Sequence, residues 1–446
     1  MKKWVLVIAI LAVLALAVGL LLPGQKPPSP SAWLVLPDGS SNRIVAATYG
    51  TNHIIGSPFG RLLTHLPAAV QDKLPVLVHQ TATAQPSLVL WLEHRAGAGA
   101  PTPGPGAPTY ELLSDASGFI SGPENFMVGG FGTVDIGPVA FETFPRRDPA
   151  IALNFFYRSP SGQATNWGRL QFPNPLHQTY PEWQPESLPA TNRAGDVEVT
   201  LLSVQTGHDN NSRMRVRKGG GTEIIRGTNR LGGENVTAVD ARFRNLAHLN
   251  QTWRAVSVQV SDASGNSLRS SGMGWGGNDG DNFTFQPALW PSEKAWKLNV
   301  EIKQIGGFTP EQLFTFKNVP LGALDTTSHL GWVTNFGGVT VTLNTFLRQS
   351  PLTNNSSWSS SQLSAVDLSS SPLTNSLQLD LVNVVFDTGV TNTGDGGWSA
   401  TGNSRTYFFT EIPSKATNAD FTFAVHHSRF VEFTVHPELP LPPANN

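Results

Sequence analysis

Apolar and polar residues alternate with a period of two along much of this chain. The clearest rows are Ile44, Ala46 and Thr48 in IVAATYG, Val197, Val199 and Leu201 in DVEVTLLSV, and Val339, Val341 and Leu343 in GVTVTLNTF. Successive side chains of a strand point to opposite faces, so each row predicts a half-buried β-strand. Helical periodicity is scarce; short helices are expected only at 59–65, 68–73 and 310–313. Turn residues recur at intervals of about ten, the spacing of antiparallel strands in a sandwich.

The rows belong to a larger unit that recurs three times. Ser114-Asp115-Ala116-Ser117-Gly118 returns letter for letter as Ser261-Asp262-Ala263-Ser264-Gly265, each after a predicted strand. Asp and Gly at those offsets suit a hairpin turn. Each unit then has an aromatic strand, a proline break and a polar turn, followed by an alternating strand and a closing strand. The copies read FETFPRRDPAIALNFFY closed by RLQFPNPL, FQPALWPSEKAWKLNVEI closed by LFTFKNVPL, and FFTEIPSKATNADFTFAV closed by VEFTVHPEL. Glycine-rich hairpins with one tryptophan, Trp275 and Trp398, precede the second and third.

On these patterns the chain resembles the immunoglobulin-like and fibronectin-like β-sandwiches carried in tandem by bacterial envelope proteins. The resemblance is architectural and implies an all-β fold of three tandem antiparallel sandwich domains with a scaffold role; fold alone licenses no activity. The units span 32–193, 194–335 and 336–446, after an N-terminal segment at 1–31. Linkers are expected at 173–193 and 322–337, and a low-complexity loop at 96–108.

That N-terminal segment changes the picture of where the chain resides. Lys2 and Lys3 precede an unbroken apolar run from Trp4 to Leu22. As a helix the run would rise about 28 Å, close to the ~30 Å hydrocarbon core of a bilayer. Flanking positive charge keeps the start cytoplasmic and the remainder outside, which makes the lipid bilayer a partner and the cytoplasmic membrane the location. Ala15-Leu16-Ala17 offers the alternative of signal-peptide cleavage and secretion. Pro23, Pro27, Pro28 and Pro30 form a stiff spacer beyond the run.

Charged residues make up 14% of the chain and the net charge is -2, against roughly 25% charged in an ordinary soluble domain. This excludes a globally basic nucleic-acid binder. The absence of cysteine removes disulfides, thiolate metal sites and a Cys nucleophile. No nucleophile elbow, phosphate-binding loop, dinucleotide fingerprint or zinc-helix motif is present. The expectation is a non-enzymatic scaffold, adhesion or interaction module, with an exported enzyme or accessory sited in the first unit as an alternative.

Three candidate sites remain. Asn278-Asp279-Gly280-Asp281-Asn282 gathers oxygen ligands, so Asp279 and Asp281 are candidate calcium ligands, although the same residues suit a tight hairpin. Arg213, Arg215 and Arg217 alternate with Met214 and Val216, and a strand there would project one basic row toward an anionic glycan, an acidic envelope protein or lipid headgroups; a charged edge strand is the competing reading. In the first unit His53, His65, His79 and His94 lack ligand spacing and read as ordinary histidines. Adjacent His426 and His427 on a strand must face opposite ways.

Overall fold

A computed structural model describes residues 31–56, 78–97, 109–122, 134–158, 164–209, 213–216, 222–225, 235–270, 272–275, 280–349, 363–371, 376–392, 398–401, 403–409 and 412–439. The described residues begin with β1 (Leu34–Val35), β2 (Ser41–Gly56), β3 (Val78–Arg95), β4 (Thr109–Ser114), β5 (Ile120–Ser121), β6 (Val134–Phe141), β7 (Ala150–Arg158) and β8 (Ala164–Pro173). They continue with β9 (Ala190–Ala194), β10 (Val197–Asp209), β11 (Arg213–Val216), β12 (Thr222–Ile225), β13 (Asn235–Asn245), β14 (Thr252–Asp262), β15 (Ser267–Arg269), β16 (Gly272–Trp275), β17 (Gly280–Phe285) and β18 (Trp296–Gly306). The remainder is β19 (Leu313–Pro320), β20 (Thr326–Phe336), β21 (Val339–Arg348), β22 (Ser364–Ser371), β23 (Leu377–Phe386), β24 (Thr391–Asn392), β25 (Trp398–Thr401), β26 (Ser404–Phe409), β27 (Asn418–His427) and β28 (Arg429–Val435).

These strands make an all-β, sandwich-like fold of antiparallel sheets. The orders are β1-β2-β3-β6 with β5-β4-β7-β8, then β9-β10-β13-β17-β16 with β15-β14-β18-β28, then β20-β21-β22-β26-β25 with β24-β23-β27-β19; β11 and β12 form a separate ribbon. Each of the three sheet pairs repeats one strand order. Val341 and Leu343 of β21 share a core with Phe421 and Phe423 of β27, while the first and second pairs share one continuous core.

One irregularity recurs with the order. A bulge separates Ile44 from Ala46 in β2, Leu201 from Ser203 in β10, and Leu343 from Thr345 in β21. An extra residue reverses the phase of alternation, so Ala47 follows Ile44 into the core, Val204 follows Leu201 and Phe346 follows Leu343. The expected inward row of Ala46 and Thr48 is therefore corrected. Thr48 serves the opposite face of the sheet, accepting a hydrogen bond from Trp91 Nε1 at 3.1 Å.

The closing strands carry the largest surprise. RLQFPNPL closes its own unit, with Ile151 opposite Phe172. The other two are exchanged: Phe316 of LFTFKNVPL lies opposite Phe421 of the third pair, and Phe433 of VEFTVHPEL lies opposite Leu298 of the second. Strand pairing therefore crosses the boundary that the repeat places between 335 and 336. The connections explain why. β7 and β8 are joined through residues 159–163, enough for a hairpin, whereas only Ser428 separates β27 from β28. A hairpin needs about two loop residues at least, so β28 runs straight on into the neighbouring sheet. Arg429 fixes its entry, donating to Ala194 O at 2.8 Å and to Asp196, with its guanidinium 4.6 Å from the centre of the Trp253 ring.

Two further expectations change. The supposed linker at 322–337 is, from Thr326 to Phe336, the edge strand β20, whose Leu330, Trp332 and Phe336 pack on the core. The short helix expected at 310–313 is a single 3₁₀ turn, Pro310–Gln312. The helices expected at 59–65 and 68–73 lie outside the described residues, as does the apolar run from Trp4 to Leu22. Among the described residues no helix is long and apolar enough to cross a membrane.

Candidate functional site

Buried polar groups concentrate along two seams between sheet pairs. At the first seam Asp262 shapes the turn after β14, its Oδ1 accepting from the backbone N–H of Ser264 (2.9 Å), Gly265 (2.8 Å) and Asn266 (2.9 Å). Gly265 takes φ +100°, a conformation open mainly to glycine. The turn presents Asn266 to the polar turn after β6, where its Nδ2 donates to Phe144 O at 2.9 Å and its Oδ1 accepts from Phe144 N at 3.2 Å. Arg146 donates to Asn266 Oδ1 (3.1 Å), Ser264 O (3.0 Å) and the Tyr49 hydroxyl (2.9 Å). Beside it Arg147 pairs with Glu293 at 2.8 Å. Burial raises the Glu293 carboxyl, as does nearby Asp262, while Arg147 opposes them.

The second seam lies where the exchanged strands cross. Lys303 Nζ of β18 is 2.6 Å from Asp380 Oδ1 of β23, and His426 Nε2 of β27 is 2.8 Å from Oδ2. Burial alone would push the Asp380 carboxyl up, but the His426 hydrogen bond and the Lys303 charge outweigh it and hold it at about 2. One step along, Glu301 accepts from Ser428 Oγ (2.7 Å), Ser257 Oγ (2.9 Å) and Gln378 Nε2 (3.3 Å). Carboxylates here are matched by cations, hydroxyls or an amide. The Ser428 hydroxyl donates to the Glu301 carboxylate, so the arrangement joins one sheet to the next.

The residues singled out in the sequence fall elsewhere. Arg213 and Arg215 lie on β11, opposite Ile225 and Glu223 of β12; Arg217 lies outside the described residues. So does Asp279, whereas Asp281 sits on β17, deeply buried. Its Oδ2 accepts from Ala255 N at 2.9 Å, at the point where a bulge interrupts β14 between Ala255 and Ser257. Asp281 thus ties one sheet of the second pair to the other. Burial raises its carboxyl, against the pull of the Ala255 N–H and Arg254. Among the described residues no group of three or more His, Cys, Asp or Glu could hold a metal ion. We expect Asp281→Ala to cost roughly 1–3 kcal/mol by leaving the partly buried Ala255 N–H unpaired. Asp281→Asn, which keeps an acceptor, should cost less, and urea titrations with and without a calcium chelator should coincide; a chelator-dependent midpoint would instead assign the carboxylate to a cation.

In the first unit His53 is buried between Thr48 Oγ1 (2.9 Å) and Thr83 Oγ1 (3.4 Å), and burial lowers its pKa. His94 Nδ1 lies 3.0 Å from Asn42 Oδ1; His65 is outside the described residues. His426 is buried and His427 exposed on β27, on opposite faces as their adjacency requires. Glu111 of β4, opposite Phe155 of β7, has its carboxyl pushed up to about 7 by burial.

Sequence reasoning passed over Glu301, Lys303 and Asp380 because each occupies the polar phase of an alternating strand, which reads as solvated. The available signal was complementarity: WKLNVEIK offers a base where LQLDL offers an acid. Asn266 and Arg146 were hidden in segments read only as turns. Comparison of the chain with protein-family models gave no match, and comparison with curated proteins gave none.

Proposed function

We propose that this protein is a membrane-anchored, extracytoplasmic scaffold or adhesion module that displays three sandwich domains joined firmly to one another. The observation that carries this reading is the use made of buried polarity: Arg146, Asn266, Lys303 and Asp380 all join one sheet pair to the next. Surfaces between tandem domains are ordinarily small and permit relative motion. Here a strand exchange and two buried polar seams oppose such motion, as a spacer under load requires. The apolar run Trp4 to Leu22, preceded by Lys2 and Lys3, supports anchoring with the sandwiches outside the cytoplasmic membrane.

A second reading is favoured by the β11-β12 ribbon, which stands apart from the sandwich sheets and carries Arg213 and Arg215. It would take an anionic polysaccharide. One set of measurements tests both readings. The protein should fractionate with membranes, retain its N-terminus by intact mass, and be cut by protease added outside the cytoplasmic membrane. Loss of about seventeen residues, as cleavage after a small-x-small site predicts, or a cytosolic location would overturn the anchored scaffold. Saturable retention on a polysaccharide array that Arg213→Ala/Arg215→Ala abolishes would establish the second reading.

A further inference from the structure

The three sheet pairs treat one flank differently. In the first pair the edge strand β1 has 2 residues, and in the second β9 has 5. The chain leading into β9 also covers the neighbouring edge of β28: Glu186 N donates to Thr434 O at 2.7 Å, and Asn192 Nδ2 to Glu432 O at 2.8 Å. The third pair has no such leader, because the exchange places β19 immediately before β20 with only residues 321–325 between them. β20 is 11 residues long. Among the described residues it pairs with β21 alone.

Natural sheets protect long edges with Lys, inward charges, Pro or a β-bulge, and of these β20 has only the bulge between His329 and Trp332. β20, TTSHLGWVTNF, has no Lys, Arg, Asp, Glu or Pro. Val333 is 60% exposed, and the inward row of Leu330, Trp332 and Phe336 is only partly buried. The strand is also partly palindromic about Gly331. Paired antiparallel with itself, it sets Leu330 against Trp332, Ser328 against Thr334 and Thr327 against Asn335, like with like, beside the unlike pairs His329 with Val333 and Thr326 with Phe336, and no charges oppose each other. The bulge between His329 and Trp332, where Gly331 has φ +61°, falls on the axis, so no side chains meet there. Such self-complementarity is the signature of a twofold interface.

We infer that β20 is the dimerisation edge of this protein, joining a second copy by antiparallel β20–β20 pairing into one continuous ten-stranded sheet across two molecules. The inference stands independently of the anchored-scaffold reading.

Light scattering on the full chain in detergent should give the mass of a dimer. His329→Lys/Val333→Lys puts lysines opposite each other at two exposed positions and should leave a folded monomer, with far-UV circular dichroism unchanged. Because the sequence contains no cysteine, His329→Cys/Val333→Cys gives a clean second readout. These residues face each other across the proposed axis, so mild oxidation should yield a disulfide-linked dimer. His329→Cys alone, whose copies lie four positions apart, should not cross-link. A monomer at all concentrations, a dimer that survives the lysine pair, or cross-linking of the single-cysteine chain as readily as the double would overturn the inference. So would capture of β20 by a different protein in place of its own copy.

Discussion

Truncation after His427 should unfold the second sheet pair rather than the third, which lies nearer the cut in sequence. The cut removes β28, whose Val431, Phe433 and Val435 are buried in the core that also holds Leu298 and Val300 of β18. Burying a large aliphatic or aromatic side chain is worth roughly 1.5–3 kcal/mol, so the three together contribute about 5–9 kcal/mol. That is comparable with the whole stability of a typical domain, about 5–15 kcal/mol. Hydrogen exchange on the truncated protein should show lost protection in β14 and β18, while β21, β22 and β27, which keep β19, remain protected. By the same argument residues 194–335 expressed alone should not fold, for they contain β19 but not β28. Protection in β18 of the truncated chain would show that β19 can return to close the second pair, and the exchange would then be optional rather than required.

Asp380→Ala is expected to be the most damaging single substitution outside the apolar core. It takes from Lys303, whose side chain is 11% exposed, and from His426 the carboxylate that they share. Breaking a buried pair by deleting one member typically costs about 3–5 kcal/mol. Asp380→Ala/Lys303→Met should recover much of the loss, as replacing a whole buried pair by apolar groups often does. The pH dependence has a definite sign. Lys303 and His426 hold the folded-state Asp380 carboxyl at about 2, below the ordinary value of 3.8. Its contribution is therefore fully present above the ordinary value and is lost as pH falls from there through about 2. The linkage is on the order of 2 kcal/mol. Urea midpoints at neutral pH and near pH 3 should fall further for wild type than for Asp380→Asn, and equal falls would refute the assignment.

The sequence revealed elements more readily than partners. Alternation located β10, β18, β21 and β27, because burial of one face leaves a two-residue period in the side chains themselves. The Ser-Asp-Ala-Ser-Gly turns were legible for a similar reason: Asp115 Oδ1 accepts from Phe119 N at 2.9 Å and Gly118 takes φ +85°, local chemistry that five residues encode. Which strand a closing segment joins is not local. Phe316 and Phe433 occur in equivalent patterns and suit equivalent neighbours, so apolar alternation is satisfied equally by exchange and by self-closure. The deciding feature was the single-residue connection at Ser428, visible only once strand limits are known. Bulges were illegible too, since one inserted residue changes the phase without changing composition. Of the polar seams, the strand positions were foreseeable but their burial was not: a charge facing a second sheet pair and a charge facing water have the same sequence.

The exchange also sets an order of assembly. A ribosome delivers the chain from its N-terminus, and the first sheet pair is complete as soon as β8 emerges. The second cannot be completed by its own stretch of sequence. Its β18 edge waits through the synthesis of the entire third pair for β28, since Leu298 meets Phe433. Exposed strand edges in waiting intermediates are where misassembly begins. A chain stopped anywhere before β28 is thus left with an open edge on its second sheet pair, so that pair reports whether β28 was ever made.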